Sequence, residues 1–195
     1  MLIGLTGMSG AGKSTVAALF AAKGFRVIDC DALVHSLYED ARYIRLVEAA
    51  FGSEYISDGG VDRRKLGSLV FSDPEALKKL NDTVSPFIMR AVTERIDEVR
   101  REDVSSVLDA PLLFEYGLEK YCDRIIGVTV ALETAVKRLS ARDGRNADEL
   151  RARLRAQHDE SFFRAHCDYI LENNGDGKAL CTALDSILEK IYIHR

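Results

Sequence analysis

Short apolar runs recur along this chain, separated by longer stretches with helical periodicity. LIGLT (2–6) is such a run, followed by glycines, and reads as a buried strand. GKSTVAALFAAKG then has helical composition and ends at Gly24. FRVID (25–29), VSSVLD (104–109), DRIIGVTV (123–130) and DYILEN (168–173) repeat the strand pattern. Helices are predicted over 31–50, from the Asp73-Pro74 start signal, and from Pro86 through FIMRAVTERIDEVRRED. Further helices are expected over ETAVKRLSARD up to Gly144, from the capping-box pair Asn146 and Glu149, and over 178–193. Residues 52–62 carry turn formers. Strands that alternate with helices predict an α/β fold, a three-layer sandwich around a parallel sheet of about five strands.

Composition narrows the function classes. The hydrophobic share of 47% and charged share of 30% are those of a soluble globular chain, and 195 residues bury a core without metal or disulfides. The net charge of −4 gives no general affinity for nucleic acid or an anionic membrane, so neither is expected as a partner. No run approaches the roughly 20 apolar residues of a membrane span. Cys30, Cys122, Cys167 and Cys181 lie far apart, with no metal-ligand spacing. With no leader-like pattern in MLIGLTGMSG, they read as reduced thiols and the expected compartment is the cytoplasm.

Between the first strand and the first helix, Gly7 to Ser14 fits G-x-x-x-x-G-K-S/T. Glycines let successive backbone N–H groups converge on phosphate oxygens, and the helix N-terminus adds partial positive charge. Lys13 is expected to reach the β- and γ-phosphates, and the Ser14 hydroxyl to ligate Mg²⁺. ATP and Mg²⁺ are therefore the expected cofactors.

Two other stretches bear on whether that phosphate moves. Asp29 and Asp31 end the second strand, where alternate positions of an extended segment point the same way. One of these carboxylates, Asp31 above all, could take a proton from an acceptor hydroxyl; alternatively one of them caps the next helix. From Lys137 to Arg164 there are eight basic residues against five acidic ones, in a chain that is acidic overall. A mobile flap of this kind would close over triphosphate, with Arg142 the first candidate for a phosphate contact and Arg138 and Arg145 next. Some of these arginines would simply form i,i+4 pairs on a solvated helix, as Glu149 and Arg153 do by spacing. Asp109 either organises metal or caps a helix. His35, His158 and His166 show no partner pattern, and Phe162-Phe163 either packs a return helix or grips a base.

Taken together, GMSGAGKST, IDCD, LNDTVSP (80–86), DAPLLFE (109–115), RLSARDG and DYILENNG resemble the dephospho-CoA kinase family over nearly the whole chain. The resemblance implies transfer of the ATP γ-phosphate to the ribose 3′-hydroxyl of dephospho-CoA, the last step of coenzyme A synthesis. It implies a P-loop kinase core over 1–30, 104–135 and 165–195, a helical substrate-binding region over 31–103 and a lid over 136–164. By the same resemblance Gly10, Ala11, Gly12, Lys13, Ser14 and Thr15 bind ATP, and Asp31 serves as base or hydroxyl-positioning group. Arg142 then lies in the lid, and Pro111, Leu112, Leu113 and Glu115 lie near the acceptor. Ser85 stands where the family usually has His, and Met8 where it usually has Gly.

Two other readings remain open at this point. A kinase for a nucleoside or nucleoside monophosphate differs only in its acceptor side. A nucleotide-dependent switch is disfavoured, because no base-specifying N-K-x-D-like stretch is present and arginines in cis suit transfer.

Overall fold

The computed structural model describes residues 1–175 and 177–193, so positions 176, 194 and 195 of the expected core lie outside the described residues. Strand β1 (Leu2–Gly7) leads into helix α1 (Lys13–Ala22), then β2 (Arg26–Asp29), α2 (Cys30–Leu37) and α3 (Ala41–Phe51). A short hairpin, β3 (Ile56–Ser57) and β4 (Gly60–Val61), precedes α4 (Arg63–Ser72) and α5 (Pro74–Arg101). The chain then runs β5 (Ser106–Asp109), β6 (Arg124–Thr129), α6 (Leu132–Asp143), α7 (Ala147–Arg155), α8 (Glu160–His166), β7 (Tyr169–Glu172) and α9 (Gly177–Ile193). The chain divides into two compact units, residues 1–28 with 99–195 and residues 29–98.

The first unit is built on the five-stranded parallel sheet, in the order β2-β5-β1-β6-β7. β1 is central because Leu2 to Thr6 are all buried, as a strand covered on both faces requires. On one face Ile3, Leu5, Ile126 and Val128 meet Val16 and Phe20 of α1, Val136 and Leu139 of α6, and Leu184 and Leu188 of α9. On the other face two glycines admit close neighbours. A Cβ at Gly4 would lie 2.8 Å from the Cys122 sulfur, and one at Gly127 2.8 Å from that of Cys167. Burial pushes both thiols up to about 12, so they remain protonated packing groups. Among the described residues no helix is long and apolar enough to cross a membrane.

The second unit has its own core of Leu37, Tyr43, Val47, Leu66, Val70 and Val84. Tyr43 is its largest fully buried side chain and meets Tyr38 edge-on at 5.3 Å. Lys79 ties α5 to α3 by donating to the Ala50 carbonyl, 2.5 Å away.

Four sequence expectations change here. The helix expected over 31–50 is two helices, because the Asp40 side chain caps a new start by accepting from the Arg42 N–H at 2.7 Å. Pro86 does not open a helix; α5 runs straight through it. An internal proline costs about 3 kcal/mol, and apolar packing of Val84, Phe87, Ile88 and Ala91 in one cluster offsets that. Residues 52–62 hold the β3–β4 hairpin, turned by Asp58 (φ 50°) and Gly59 (φ 78°).

The fourth change concerns the paired aspartates. Asp31 does not continue an extended segment alongside Asp29: it lies in the first turn of α2, whose N-cap is Asp29. The Asp29 carboxylate accepts from the Ala32 N–H at 2.9 Å. Local capping wins because it satisfies one of the helix's orphan amides with no distant partner. Asp29→Asn should keep the cap and the stability, whereas Asp29→Ala should cost about 1 kcal/mol by denaturant titration. Equal losses in both variants would remove the capping role.

Candidate functional site

β1 stops at Gly7, and the chain turns back on itself before α1 begins. Gly7 has φ +150°, and a Cβ there would sit 2.2 Å from the Val128 carbonyl oxygen. The next residue bonds to that same carbonyl, with Met8 N–H donating to it at 3.0 Å. Ala11 N–H then donates to the Met8 carbonyl at 3.1 Å, which closes the turn. Gly12 (φ 86°, ψ 30°) is the left-handed N-cap of α1 and makes no side-chain cap bond. The Lys13 and Ser14 N–H groups precede any in-helix acceptor, whereas the Thr15 N–H donates to the Gly12 carbonyl at 3.0 Å. Gly10, Ala11, Gly12, Lys13, Ser14 and Thr15 are thus one continuous backbone cradle, with the Ser14 side chain exposed at its lip.

Lys13 reaches from the start of α1 to Asp109 at the end of β5, and the two form an ion pair. Their side chains are only 17% and 7% exposed, so the pair lies inside the phosphate-loop region rather than on a solvated surface. Asp109 is therefore not simply a helix cap. It is the ion-pair partner of Lys13, the residue that opens α1.

The segment 136–164 folds as the end of α6, then α7 and the start of α8. Arg138 is the arginine that touches the phosphate loop, its Nη1 lying 3.5 Å from the Gly10 carbonyl. Arg142, the first candidate from sequence, is exposed in the last turn of α6 and forks onto Asp143 at 2.6 and 3.0 Å. That bond holds the Asp143 carboxyl below the ordinary range and raises Arg142. Arg151 is a structural arginine, clasped by Glu133 and Asp148.

The segment Pro111 to Glu115 follows β5 directly, and Thr6 Oγ1 donates to the Pro111 carbonyl at 3.3 Å. Leu113 is buried, while Leu112 is 48% exposed. Glu115 lies 3.5 Å from the His158 Nε2. His158 stacks on Phe162 at 3.6 Å, Phe162 stacks on His166 at 4.2 Å, and Phe114 meets Phe162 edge-on. The aromatic pair thus packs the return helix, and the histidines do have partners. His35, in the second unit, accepts from Arg63 at 2.5 Å. Asp31, also in the second unit, is exposed.

Sequence reasoning assigned no role to Asn173. Its side chain is buried and donates to the Ala11 carbonyl at 2.7 Å, across 162 residues of sequence. The only hint in the chain was a polar residue placed at the end of a buried strand.

A substitution at the N-cap tests the cradle. In Gly12→Ala the new Cβ would lie 2.5 Å from the Asn173 Nδ2, at a backbone angle that L-residues pay about 1–2 kcal/mol to adopt. Loss of detectable Mg·ATP binding in calorimetry and a lowered melting temperature are expected. Wild-type affinity in Gly12→Ala would refute the cradle.

Comparison with known proteins gives a consistent result. The family profile described as CoaE: Dephospho-CoA kinase matches residues 1–179. A Thermus thermophilus protein named dephospho-CoA kinase is 39% identical over 191 residues, covering 98% of this chain and 92% of that one. A crystal structure from Thermus thermophilus superposes with a TM-score of 0.79 at 40% identity, covering 97% of each chain. Shikimate kinase from Bacteroides thetaiotaomicron, at 16% identity and TM-score 0.56 over 98% of each chain, shares the fold.

Proposed function

This chain belongs to the dephospho-CoA kinase family, and on that premise we propose how its residues carry out the family reaction. The chain transfers the γ-phosphate of ATP to the ribose 3′-hydroxyl of dephospho-CoA, giving coenzyme A and ADP. The observation that carries the reading is a phosphate loop joined to a Lys13–Asp109 pair, in a chain that matches the family profile from its first residue.

Residues Gly10 to Thr15 would bind the phosphates through the N–H groups that the loop's own carbonyls leave open, the Ala11 N–H being held by Met8 and the Thr15 N–H by Gly12. Lys13 would exchange Asp109 for the β- and γ-phosphate oxygens, leaving that carboxylate for the cation site. Ser14 and Asp109 fit Mg²⁺, which when bound offsets charge between the β- and γ-phosphates. Arg138 already touches the loop, so a small shift would carry its guanidinium from the Gly10 carbonyl to a phosphate oxygen. Arg142 would have to leave Asp143, an exposed partner whose attraction solvent screens, so that exchange is cheap. Asp31 is the base or hydroxyl-positioning group, supported by the family resemblance and by its exposed place in the first turn of α2. Pro111, Leu112, Leu113 and Glu115 are assigned to the acceptor side. Rate enhancement comes mainly from positioning and charge neutralisation, with a smaller general-base contribution from Asp31. Operation in the cytoplasm belongs to the same proposal, supported by the thiols Cys122, Cys167 and Cys181, which form no disulfide.

The decisive assay compares ADP release from Mg·ATP with dephospho-CoA, adenosine, AMP, CMP and no acceptor. A strong rate with dephospho-CoA alone, and product phosphorylated at the 3′-oxygen, is expected. A rate with a nucleoside or nucleotide instead would assign the chain to a different acceptor. Asp31→Asn should lower turnover by roughly 10²- to 10⁴-fold with ATP affinity unchanged. A wild-type rate in that variant would take Asp31 out of the mechanism.

A further inference from the structure

The Ala11–Gly12 peptide is held from outside the loop. Ala11 N–H is used within the turn, by the Met8 carbonyl. The Ala11 carbonyl, by contrast, is bonded by the Asn173 side chain at 2.7 Å. A carbonyl only accepts, so the Asn173 amide nitrogen must be the atom that faces it. Asn173 is itself fixed, being 8% exposed at the end of β7, with its backbone N–H donating to the Thr129 carbonyl at 2.9 Å.

In a planar trans peptide the C=O and the following N–H point in opposite directions, and there is no cis peptide among the described residues. A carbonyl held toward Asn173 therefore turns the Gly12 N–H the other way, away from β7 and into the phosphate cradle. Gly12 is the residue most able to let this peptide flip, because glycine accepts either sign of φ. Without an outside anchor the loop would exchange between a donor-in and a carbonyl-in arrangement. The second arrangement places a partial negative charge against the anion.

We propose that Asn173 is a positioning residue for phosphoryl transfer: its amide fixes the Ala11–Gly12 peptide so that the Gly12 N–H points at the nucleotide phosphates. This rests on the nucleotide reading of the loop and extends it to a residue on the last strand. Asn173 acts through backbone and touches no substrate, so its loss falls on the phosphate donor and spares the acceptor.

The test uses Asn173→Leu, which keeps the bulk without the donor, and Asn173→Ala. Calorimetry measures the Kd of Mg·ATP and of inorganic tripolyphosphate, and kinetics give the KM of both substrates. Both dissociation constants should rise about tenfold or more, the KM for ATP should rise with them, and the KM for dephospho-CoA should stay within about twofold. Unchanged dissociation constants with a lowered melting temperature would overturn the proposal, leaving Asn173 a packing residue only. A parallel rise in both KM values would also overturn it. Should both variants fail to fold, the wild-type protein labelled with ¹⁵N-glycine still decides. The Gly12 amide proton should move downfield on adding tripolyphosphate, and a stationary signal overturns the proposal. Failure of the wild-type protein to bind either ligand would overturn the nucleotide reading first and the positioning role with it. Binding by wild type with unaffected variants would overturn the positioning role alone.

Discussion

The chain enters α1 through a left-handed residue, Gly12, a conformation that glycine adopts at no steric cost. Much of the first unit follows from this requirement. The loop must leave the middle of a sheet so that its ends are rigid, and β1 is the central strand, buried along its length. Its turns must not relax, and the Val128 carbonyl on one side and the Asn173 amide on the other hold them. Side chains have no room in the cradle, since even a methyl at Gly7 or Gly12 meets protein within 2.5 Å. The loop's shape is thus a property of backbone geometry, and the surrounding core keeps that geometry in place.

How legible each feature was depends on the range of the interaction behind it. The phosphate loop could be read because its determinants, a strand, three glycines, a lysine and a helix start, lie within a few residues of one another. The five strands were legible for a similar reason, as buried apolar runs. The paired aspartates misled because spacing in an extended chain is only one of two local solutions; capping by Asp29 satisfies a helix amide immediately and took precedence. Pro86 misled in the opposite direction. Local rules say that a helix stops there, and tertiary burial along α5 carried it through. Asn173 was illegible because its partner lies 162 positions away, and no periodicity encodes that contact.

Charge in the 136–164 segment shows the same division. A count of arginines suggests a cationic flap, but the partners separate the residues into classes. Arg151 braces α6 against α7 through Glu133 and Asp148, and Arg164 binds Glu160 and Glu172. These arginines hold the segment's shape. Arg138 faces the loop, and Arg142 is paired with the Asp143 carboxylate. The net charge of the run therefore overstates what is free for a ligand, because Arg151 and Arg164 are each paired with two carboxylates.

The two units have separate hydrophobic cores. Shikimate kinase shares the architecture at 16% identity. Residues 29–98 carry a separate core around Tyr43, Val47 and Leu66. That unit, residues 29–98, holds none of the phosphate loop. Within the loop the tightest positions are Gly7 and Gly12, where a Cβ would lie 2.2 and 2.5 Å from protein atoms.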